Sequence, residues 1–186
     1  MFSIKKLSLF TFLIFSIYSQ SQTYVKGNAL SALVAIPNFG IETSIGKKAT
    51  LQFDVLASFW SSIQGVPMEF YSFTPEYRYH FHEKYNGFYI GGHVGASRFN
   101  LQKWQYIHSD YYEKGIAYFM GATIGYQTKI NNRFMLDCFF GGGSHQAFYK
   151  GYSISTGERL DGATNYNKSG EWIPYRGGVM VSYRIN

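Results

Sequence analysis

Between Tyr71 and Phe81 the chain alternates between aromatic and polar side chains almost without a break. Successive side chains of a β-strand point to opposite faces of the sheet. The pattern therefore predicts a strand with one aromatic face and one charged face. The aromatic face carries Tyr71, Phe73, Tyr77, Tyr79 and Phe81, and the polar face carries Ser72, Thr74, Glu76, Arg78 and His80.

The same alternation recurs along the chain, and turn signals divide it into eight pieces. In the third piece, Leu51, Phe53, Val55, Ala57 and Phe59 share one face. In the last piece, Ile173, Tyr175, Val179, Val181, Tyr183 and Ile185 oppose Arg176, Gly178, Ser182 and Arg184. The predicted strands are 24–35, 39–46, 49–60, 70–81, 87–99, 114–130, 134–149 and 172–185.

The connections between these strands alternate in length. Residues 46–48, 82–86 and 131–133 are short and polar, whereas 61–69, 100–113 and 150–171 are longer; the remaining connection, 36–38, is expected to be a tight turn. Tight turns at one end and long loops at the other are typical of outer-membrane barrels. We therefore predict an all-β fold, an eight-stranded antiparallel transmembrane β-barrel with up-and-down topology.

Alternation alone does not say which face is inside, because a soluble lipocalin-like barrel has the same period with the opposite polarity. The interior of an eight-stranded barrel is just wide enough for side chains to fill it. The many Phe and Tyr residues of the apolar face would overfill that space. Charged residues beside glycines such as Gly91, Gly95, Gly121 and Gly125 fit it better. This volume argument favours aromatic residues outside and charges inside.

The N-terminal segment predicts export. Lys5 and Lys6 precede an apolar run, Leu7–Tyr18, that is too short to span a bilayer as a helix. Small residues follow at Ser19 and Ser21, so residues 1–21 are predicted to be a cleaved signal peptide and 22–186 the barrel domain. An uncleaved anchor is the alternative. We expect the bacterial outer membrane as the location, since only 15% of residues are charged against about 25% in soluble domains.

The charge and the cysteine content limit which classes of binding partner and which covalent cross-links are expected. The formal net charge is +6, of which Lys5 and Lys6 account for two. No run of basic residues exists outside the leader, which argues against nucleic-acid binding. A small positive excess favours contact with outer-membrane lipid such as anionic lipopolysaccharide. The single cysteine, Cys138, excludes an internal disulfide framework and is expected on the lipid face.

The polar face predicts a buried charge network. Four acidic and four basic residues assigned to it balance each other, as burial of charge requires. We therefore expect a plugged, hydrogen-bonded lumen, and a narrow channel is the disfavoured alternative. The predicted network contains Glu42, Asp54, Glu76, Arg78, His80, His93, Lys129, Asp137, Arg176 and Arg184. His145 is predicted on the same face.

Several segments resemble a family of small bacterial outer-membrane β-barrels of unknown function with OmpA- and OmpX-like architecture. The segments are Pro37–Glu42, Pro75–Tyr79 with Phe81, Asn86–His93 and Gly121–Gln127. The resemblance implies the fold and the membrane location and supplies no activity. The chain departs from such barrels in ending at Asn186 rather than in an aromatic residue. Pro75, which lacks an N–H, is predicted to mark a β-bulge.

Several pairs of polar residues have the chemistry of an enzymatic or metal site, and a structural role fits them better. Glu76 and Arg78 share a face but fit the charge network better than a catalytic pair. A lipid A deacylase-like enzyme would need a Ser–His pair in contact. His93 and Ser97 are about 13 Å apart along a strand, and Ser144 and His145 point to opposite faces, so only a cross-strand serine would serve. His80 and His82 have no third ligand in sequence, and neither a metal nor a cofactor is predicted.

The long loops carry the best binding candidates. Trp104, Tyr106, Tyr152 and Tyr166 lie in them and suit contacts with a glycan or a surface protein. An aromatic girdle at the membrane edge is the alternative role. We expect a monomeric, non-enzymatic structural or adhesive protein, or a partner of a surface assembly. A lipid-modifying enzyme is the alternative function.

Overall fold

The fold is described from a computed structural model, which covers residues 22–63, 65–160, 162 and 164–186. The predicted signal peptide lies outside these residues. Eight strands form, as predicted, together with one short helix, α1 (Ala29–Leu33), and a 3-10 helix (Trp104–Tyr106). The strands are β1 (Thr23–Asn28), β2 (Asn38–Ser44), β3 (Ala49–Ile63), β4 (Val66–His80), β5 (Gly87–Leu101), β6 (Tyr111–Lys129), β7 (Phe134–Ser153) and β8 (Asn167–Arg184).

The strands form a closed antiparallel barrel in which each strand pairs with its sequence neighbours. β1 closes the ring against β8, with Lys26 opposite Ser182. Residue 22 and the C-terminus lie at one end of the barrel, which we call the terminal end. The turns 45–48, 81–86 and 130–133 share that end. The other end, which we call the loop end, carries α1 and the three remaining connections.

The first strand is shorter than predicted. It ends at Asn28, whose side chain accepts a hydrogen bond from the Leu30 backbone N–H at 3.2 Å and caps α1. Asparagine is a preferred N-cap because its oxygen satisfies one of the free N–H groups of the first turn. Residues 29–33 are therefore helical, and the predicted tight turn at 36–38 is wrong. The helix buries none of its residues, and Leu33 is 83% exposed.

The strands from β3 onward extend further toward the loop end than the sequence pattern predicted. β4 begins at Val66 rather than at residue 70, and β8 begins at Asn167 rather than at residue 172. Residues assigned to loops instead pair across strands, as Tyr112 does with Tyr152. Aromatic side chains fit a pleated surface well, and these aromatic residues, predicted to lie in loops, form the ends of strands instead. One loop-end connection becomes short, since β3 ends at Ile63 and β4 begins at Val66, whereas the connections 29–37, 102–110 and 154–166 are longer.

The two faces of β4 show how the barrel separates apolar from polar side chains. Tyr71, Phe73, Tyr77 and Tyr79 point outward and are 43–49% exposed, whereas Glu76, Arg78 and His80 point inward and are at most 1% exposed. Every other strand also exposes a large apolar side chain outward, among them Val25, Ile41, Phe53, Ile90, Ile124, Phe140 and Val181. The barrel therefore has an apolar exterior around a polar interior.

The predicted bulge at Pro75 is wrong. Phe73 pairs with Ala96 and Glu76 with His93, so the register between β4 and β5 is the same on both sides of the proline. Pairing is interrupted at residues 74 and 75, where the missing N–H leaves a gap in the ladder. The strand tolerates this gap without an inserted residue.

A bulge lies instead at Tyr175 in β8. Gly141 pairs with Arg176 while Gly142 pairs with Pro174, which leaves Tyr175 as an extra residue. A one-residue shift exchanges the two faces of a strand. Above the bulge Tyr175 and Ile173 turn toward the interior and Trp172 turns outward, where it is 84% exposed. The outward positions predicted for Ile173 and Tyr175 are therefore wrong.

Two glycines on the inner face make room for larger neighbours. A Cβ on Gly91 would overlap the Glu76 carboxylate, and a Cβ on Gly125 would overlap the Tyr89 ring. Small residues thus let charged and aromatic side chains lie flat across a narrow lumen. This is the arrangement of glycines beside long side chains that the volume argument required.

Candidate functional site

The centre of the barrel is occupied by seven charged side chains, which we call the interior ionic cluster. They come from six strands and are almost entirely shielded from solvent. They are Lys26, Glu42, Asp54, Glu76, Arg78, Asp137 and Arg176.

Lys26 joins three strands at the terminal side of this cluster. Its Nζ donates to Glu42 Oε2 at 2.7 Å, to Gln52 Oε1 at 2.8 Å and to Asp137 Oδ2. The Lys26 and carboxylate side chains have no exposed surface. An ammonium group has three donors, so all of the hydrogen-bonding capacity of Lys26 is used.

Arg78 lies at the middle of the cluster and links the same carboxylates to the next one. Nη1 donates to Asp137 Oδ2 at 2.8 Å and to Glu42 Oε2 at 3.2 Å, while Nη2 donates to Glu76 Oε2 at 2.9 Å. Its guanidinium carbon lies 4.6 Å from the centre of the Tyr89 ring. The planar fork of arginine suits this role, since it contacts several carboxylates at once.

Arg176 continues the chain of ion pairs toward the loop end. Its Nη2 lies 2.9 Å from Asp54 Oδ2 and 3.2 Å from Glu76 Oε2. Glu76 is thus shared between Arg78 and Arg176, and the cluster is continuous from β1 to β8. Across the bore, three cations face four carboxylates.

Neutral polar groups add hydrogen bonds to the carboxylates of Glu42 and Asp137. Gln127 donates to Glu42 and Asp137, at 2.9 and 3.2 Å, and its own amide oxygen lies 2.8 Å from His80 Nε2. Thr50 donates to Glu42 Oε1 at 2.6 Å, and Tyr89 donates to Asp137 Oδ1 at 2.9 Å. Buried charges are tolerated when they are paired and hydrogen-bonded in this way.

Below the cluster, the terminal end of the bore is closed by apolar packing. Tyr24, Tyr85 and Met135 form a buried group with at most 2% exposure. Tyr85 comes from the turn between β4 and β5 and donates from its hydroxyl to the backbone carbonyl of Gln22 at 2.5 Å. Burial raises the pKa of Tyr85, so the phenol stays neutral and keeps donating. Side chains therefore fill the bore at two levels, the interior ionic cluster and this apolar group.

Above the cluster, the loop-end half of the barrel contains a cavity of about 420 Å³. Asp54 and Arg176 lie in its wall together with Tyr175, and Lys103 lines it as well. Lys103 is 3.0 Å from the buried Glu113. Most of the other lining side chains are apolar or small, including Leu56, Phe70, Phe99, Phe119, Phe139 and Ala147.

The bulge at Tyr175 places a second polar group beside this cavity. The Tyr175 hydroxyl lies 2.7 Å from His93 Nε2, and the Thr123 hydroxyl lies 3.0 Å from His93 Nδ1. Both ring nitrogens of His93 are thus occupied by neighbours other than serine. Ser144 faces outward on β7, away from His145, whose ring stacks on Phe119 at 6.1 Å. The arrangement offers His93 no serine to activate.

The structure brings together most residues of the sequence-predicted charge network, but not all. Glu42, Asp54, Glu76, Arg78, Asp137 and Arg176 lie in the interior ionic cluster, and His80 and His93 lie beside it. Lys129 does not: it is exposed at the terminal end, and its Nζ is 3.7 Å from Glu83. Arg184 is also at that end and donates to the Asn186 carbonyl at 2.7 Å. Both have inward-facing sequence positions, but they fall at strand ends, where the side chains reach solvent.

Lys26 was missed by the sequence reasoning although it is fully buried. The alternation of Tyr24, Lys26 and Asn28 against Val25 and Gly27 places it on the inner face, and this signal was present in the sequence. The prediction of a strand running to residue 35 obscured it, because residues beyond Asn28 do not alternate.

The predicted loop aromatics have separate surroundings. Tyr152 is a strand residue whose ring stacks on Tyr112 at 5.5 Å, so its predicted loop position is wrong. Tyr106 packs against Tyr111, with ring centres 4.5 Å apart. Tyr166 lies just before β8, is 49% exposed and contacts Phe148. The Trp104 side chain lies outside the described part of the structure.

The last loop is anchored by an exposed aspartate. Asp110 Oδ2 accepts from the Ser153 hydroxyl at 2.6 Å and from the Ser155 hydroxyl at 2.7 Å, and Oδ1 accepts from the Ser155 backbone N–H. These hydrogen bonds hold the pKa of Asp110 below its ordinary value. The carboxylate thereby joins the connection after β5 to the connection after β7.

Comparison with known families gives one match. The family described as "Protein of unknown function (DUF3575)" matches residues 6–185. The chain belongs to this family. Curated proteins and solved structures gave no match. Membership of the DUF3575 family agrees with the unknown function of the family that the sequence resembles, and the eight-stranded antiparallel barrel is consistent with a barrel-like family.

Two features are absent from the residues that the structure describes. No three His, Cys, Asp or Glu side chains within the described ranges are placed to hold a metal ion. Among the same residues, no helix has the length and hydropathy needed to cross a membrane.

Proposed function

We propose that this DUF3575 protein is a non-conducting outer-membrane β-barrel that holds its loop end at the cell surface as a structural or adhesive element. It serves there as a partner for other surface molecules rather than as a pore or an enzyme. The observation that carries the proposal is the inverted polarity of the barrel: fully buried charges inside and exposed apolar side chains outside.

The apolar exterior supports a membrane location. Soluble monomers rarely expose contiguous apolar patches larger than a few hundred Å², whereas large apolar side chains project from all eight strands here. β3 to β8 contain 15 to 20 residues each, more than the roughly 9–11 that a tilted membrane strand requires. The surplus residues extend the barrel beyond a bilayer at the loop end.

The filled bore supports a role other than transport. A continuous path for ions would have to cross both the interior ionic cluster and the packed group of Tyr24, Tyr85 and Met135. Each cation of the cluster contacts at least two carboxylates, so movement of one side chain breaks several charge-assisted hydrogen bonds at once. The lumen is therefore a structural core in this proposal.

The loop end supports the surface role, since binding is commonly built on connections held by a rigid scaffold. Tyr106 and Tyr166 lie at that end, and the cavity of about 420 Å³ lies in the same half of the barrel. The terminal end has only short turns. Orientation in the membrane follows, with the loop end outside the cell.

Cysteine labelling on intact cells tests location and orientation together. In a Cys138→Ser chain, Thr156→Cys introduces a thiol at the loop end and Lys47→Cys introduces the matched thiol at the terminal end. A membrane-impermeant maleimide should label position 156 on intact cells and position 47 only after the outer membrane is permeabilised. Equal labelling of both positions, or recovery of the chain in the soluble fraction, would contradict the proposal. Mass spectrometry of lipid A from the same cells should show no loss of acyl chains; such a loss would favour the enzyme alternative.

A further inference from the structure

Four basic side chains point outward at the loop end on four consecutive strands. They are Arg98 on β5, Lys114 on β6, Lys150 on β7 and Lys168 on β8, and all four are exposed. We call this set the outer basic patch. The ladder registers place it compactly: Lys114 pairs directly with Lys150, Arg98 pairs with Ile116, and Lys168 pairs with Phe148.

Placing Lys114 opposite Lys150 is unfavourable without a counter-ion. Directly opposed residues of an antiparallel pair have Cβ atoms about 5 Å apart, and like charges there are destabilising. Among the described residues, none of the four basic groups forms an ion pair. The outward acid in the same row, Glu69, accepts a hydrogen bond from Asn100 at 3.1 Å, and Asn100 separates it from Lys114.

An apolar surface lies directly below the patch. Ile116, Tyr118 and Phe148 occupy the next outward positions toward the terminal end, and Trp172 follows on β8. A shallow depression of about 330 Å³ opens there between Val55, Tyr71, Phe73, Ala96 and Tyr118, with Arg98 among its lining residues. A cationic rim is thus continuous with an apolar wall.

We propose that the outer basic patch binds the phosphate groups of an anionic, acylated lipid of the outer leaflet, whose acyl chains lie on the apolar wall below. The ligand class is a phosphorylated glycolipid of the lipid A type, with phosphate oxygens accepting from the lysine and arginine donors. This inference rests on the proposed membrane location and adds to it a specific lipid and the residues that hold it.

The charge of the outer basic patch and the apolar surface below it both fit this class of lipid. Phosphate oxygens supply the counter-charge that the opposed Lys114 and Lys150 lack. Basic side chains at an anionic lipid surface each contribute several-fold to affinity. Lys168 lies 5.6 Å and 5.8 Å from the Tyr166 and Phe148 ring centres, so its ammonium is held at the boundary between the charged rim and the apolar wall.

Binding to detergent-purified protein tests the inference. The probes are lipid A carrying both phosphates and the same lipid A after enzymatic dephosphorylation, each in neutral detergent micelles, with binding followed by native mass spectrometry. The test variant combines R98Q, K114Q, K150Q and K168Q. The matched control combines K47Q, K48Q, K129Q and R133Q, which removes the same four charges from exposed positions at the terminal end.

The wild-type chain and the terminal-end control should bind phosphorylated lipid A at least about tenfold more tightly than the dephosphorylated form, and the patch variant should lose that preference. Equal affinity for the two lipids in the wild type would overturn the inference, as would equal losses in the two variants. Full displacement of the lipid by millimolar inorganic phosphate would also overturn it, since it would indicate a phosphate site without a role for the acyl chains. Each variant is first required to show the heat-dependent electrophoretic shift of a folded barrel; if it fails, the single substitution K150Q beside K129Q replaces the sets.

Different results would contradict the proposed membrane location and the proposed lipid site. If the chain is absent from the outer membrane, the labelling of positions 156 and 47 shows it. If the chain is correctly inserted but shows no preference for phosphorylated lipid A, only the lipid site is wrong.

Discussion

Replacing Lys26 with methionine removes the cation at the terminal side of the interior ionic cluster. The thioether fills similar space but donates to none of the three acceptors, Glu42, Gln52 and Asp137. Two cations, Arg78 and Arg176, are then left to compensate the four buried carboxylates of the cluster. Removing one partner of a buried ion pair typically costs about 3–5 kcal/mol, because the other charge remains buried without compensation. We expect a loss of that size for Lys26→Met.

Lys129→Met is the matched control, since it makes the same chemical change at an exposed site. Lys129 lies 3.7 Å from Glu83, and both side chains are substantially solvent-exposed. Exposed ion pairs contribute about 0–1 kcal/mol. The two substitutions should therefore differ by at least about 2 kcal/mol.

The assay is urea-dependent unfolding of the full-length chain, purified from membranes, in phosphatidylcholine vesicles. Tryptophan fluorescence and the heat-dependent electrophoretic shift should report the same transition. Adding Glu42→Gln to Lys26→Met should cost less than the two separate losses together, with a coupling of about 0.5–3 kcal/mol. Equal stability of the Lys26→Met and Lys129→Met chains, or strictly additive losses, would refute the account of the cluster.

Three further perturbations test other parts of the structure. Gly91→Ala should destabilise the barrel by about 1–3 kcal/mol in the same urea assay, because the added methyl group overlaps the buried Glu76 carboxylate. Gly92→Ala, whose methyl group meets open space, should be near neutral. Equal effects of the two substitutions would contradict the close packing described at Gly91. Deleting Tyr175 should remove the bulge and leave Gly142 paired with Pro174, so Trp172 should stay outward. In a chain whose other tryptophans are Phe, quenching of Trp172 by brominated lipid should therefore be strong with or without Tyr175; quenching that appears only in the deletion chain would argue against the bulge. Because the pKa of Asp110 is depressed in the folded chain, its hydrogen bonds stabilise the loop fully above the unfolded-state pKa of about 3.9. This stabilisation is lost as the pH falls through the lower folded-state pKa. Protection of the loop amides from hydrogen exchange should fall over the same pH range, and Asp110→Asn should abolish that pH dependence.

Much of the fold was predictable because a strand's two-residue period is written directly into the sequence. The alternation from Tyr71 to Phe81 identified β4, and similar alternation led to eight strands in up-and-down order. Strand ends were less predictable. Tyr112 and Tyr152 belong to chain segments with little alternation, and only their pairing across β6 and β7 makes them sheet.

The irregular positions were unpredictable for a physical reason. Pro75 leaves a gap in the ladder without shifting the register, whereas Tyr175, which carries no local signal of its own, is the inserted residue. A bulge depends on how two strands pair, and the sequence of one strand does not specify its partner's register. The error at Tyr175 therefore placed Ile173 on the wrong face.

The candidate site was predictable in composition but not in its limits. Their positions in the alternation placed Glu42, Glu76 and Arg78 on the inner face, but the alternation does not say how far along the barrel axis a residue lies. Lys129 has an inward position and still reaches solvent at a strand end. Lys26 also has an inward position and is buried at the centre, because β1 pairs with both β2 and β8 at that level.

Planar-bilayer recording most directly tests the claim that the lumen is a sealed core. The full-length chain is reconstituted in bilayers, and insertion is verified in parallel vesicles by quenching of its tryptophan fluorescence with brominated lipid. With insertion established, the account predicts no steady single-channel current across a wide range of voltages. A large, stable conductance from the wild-type chain would contradict the sealed lumen.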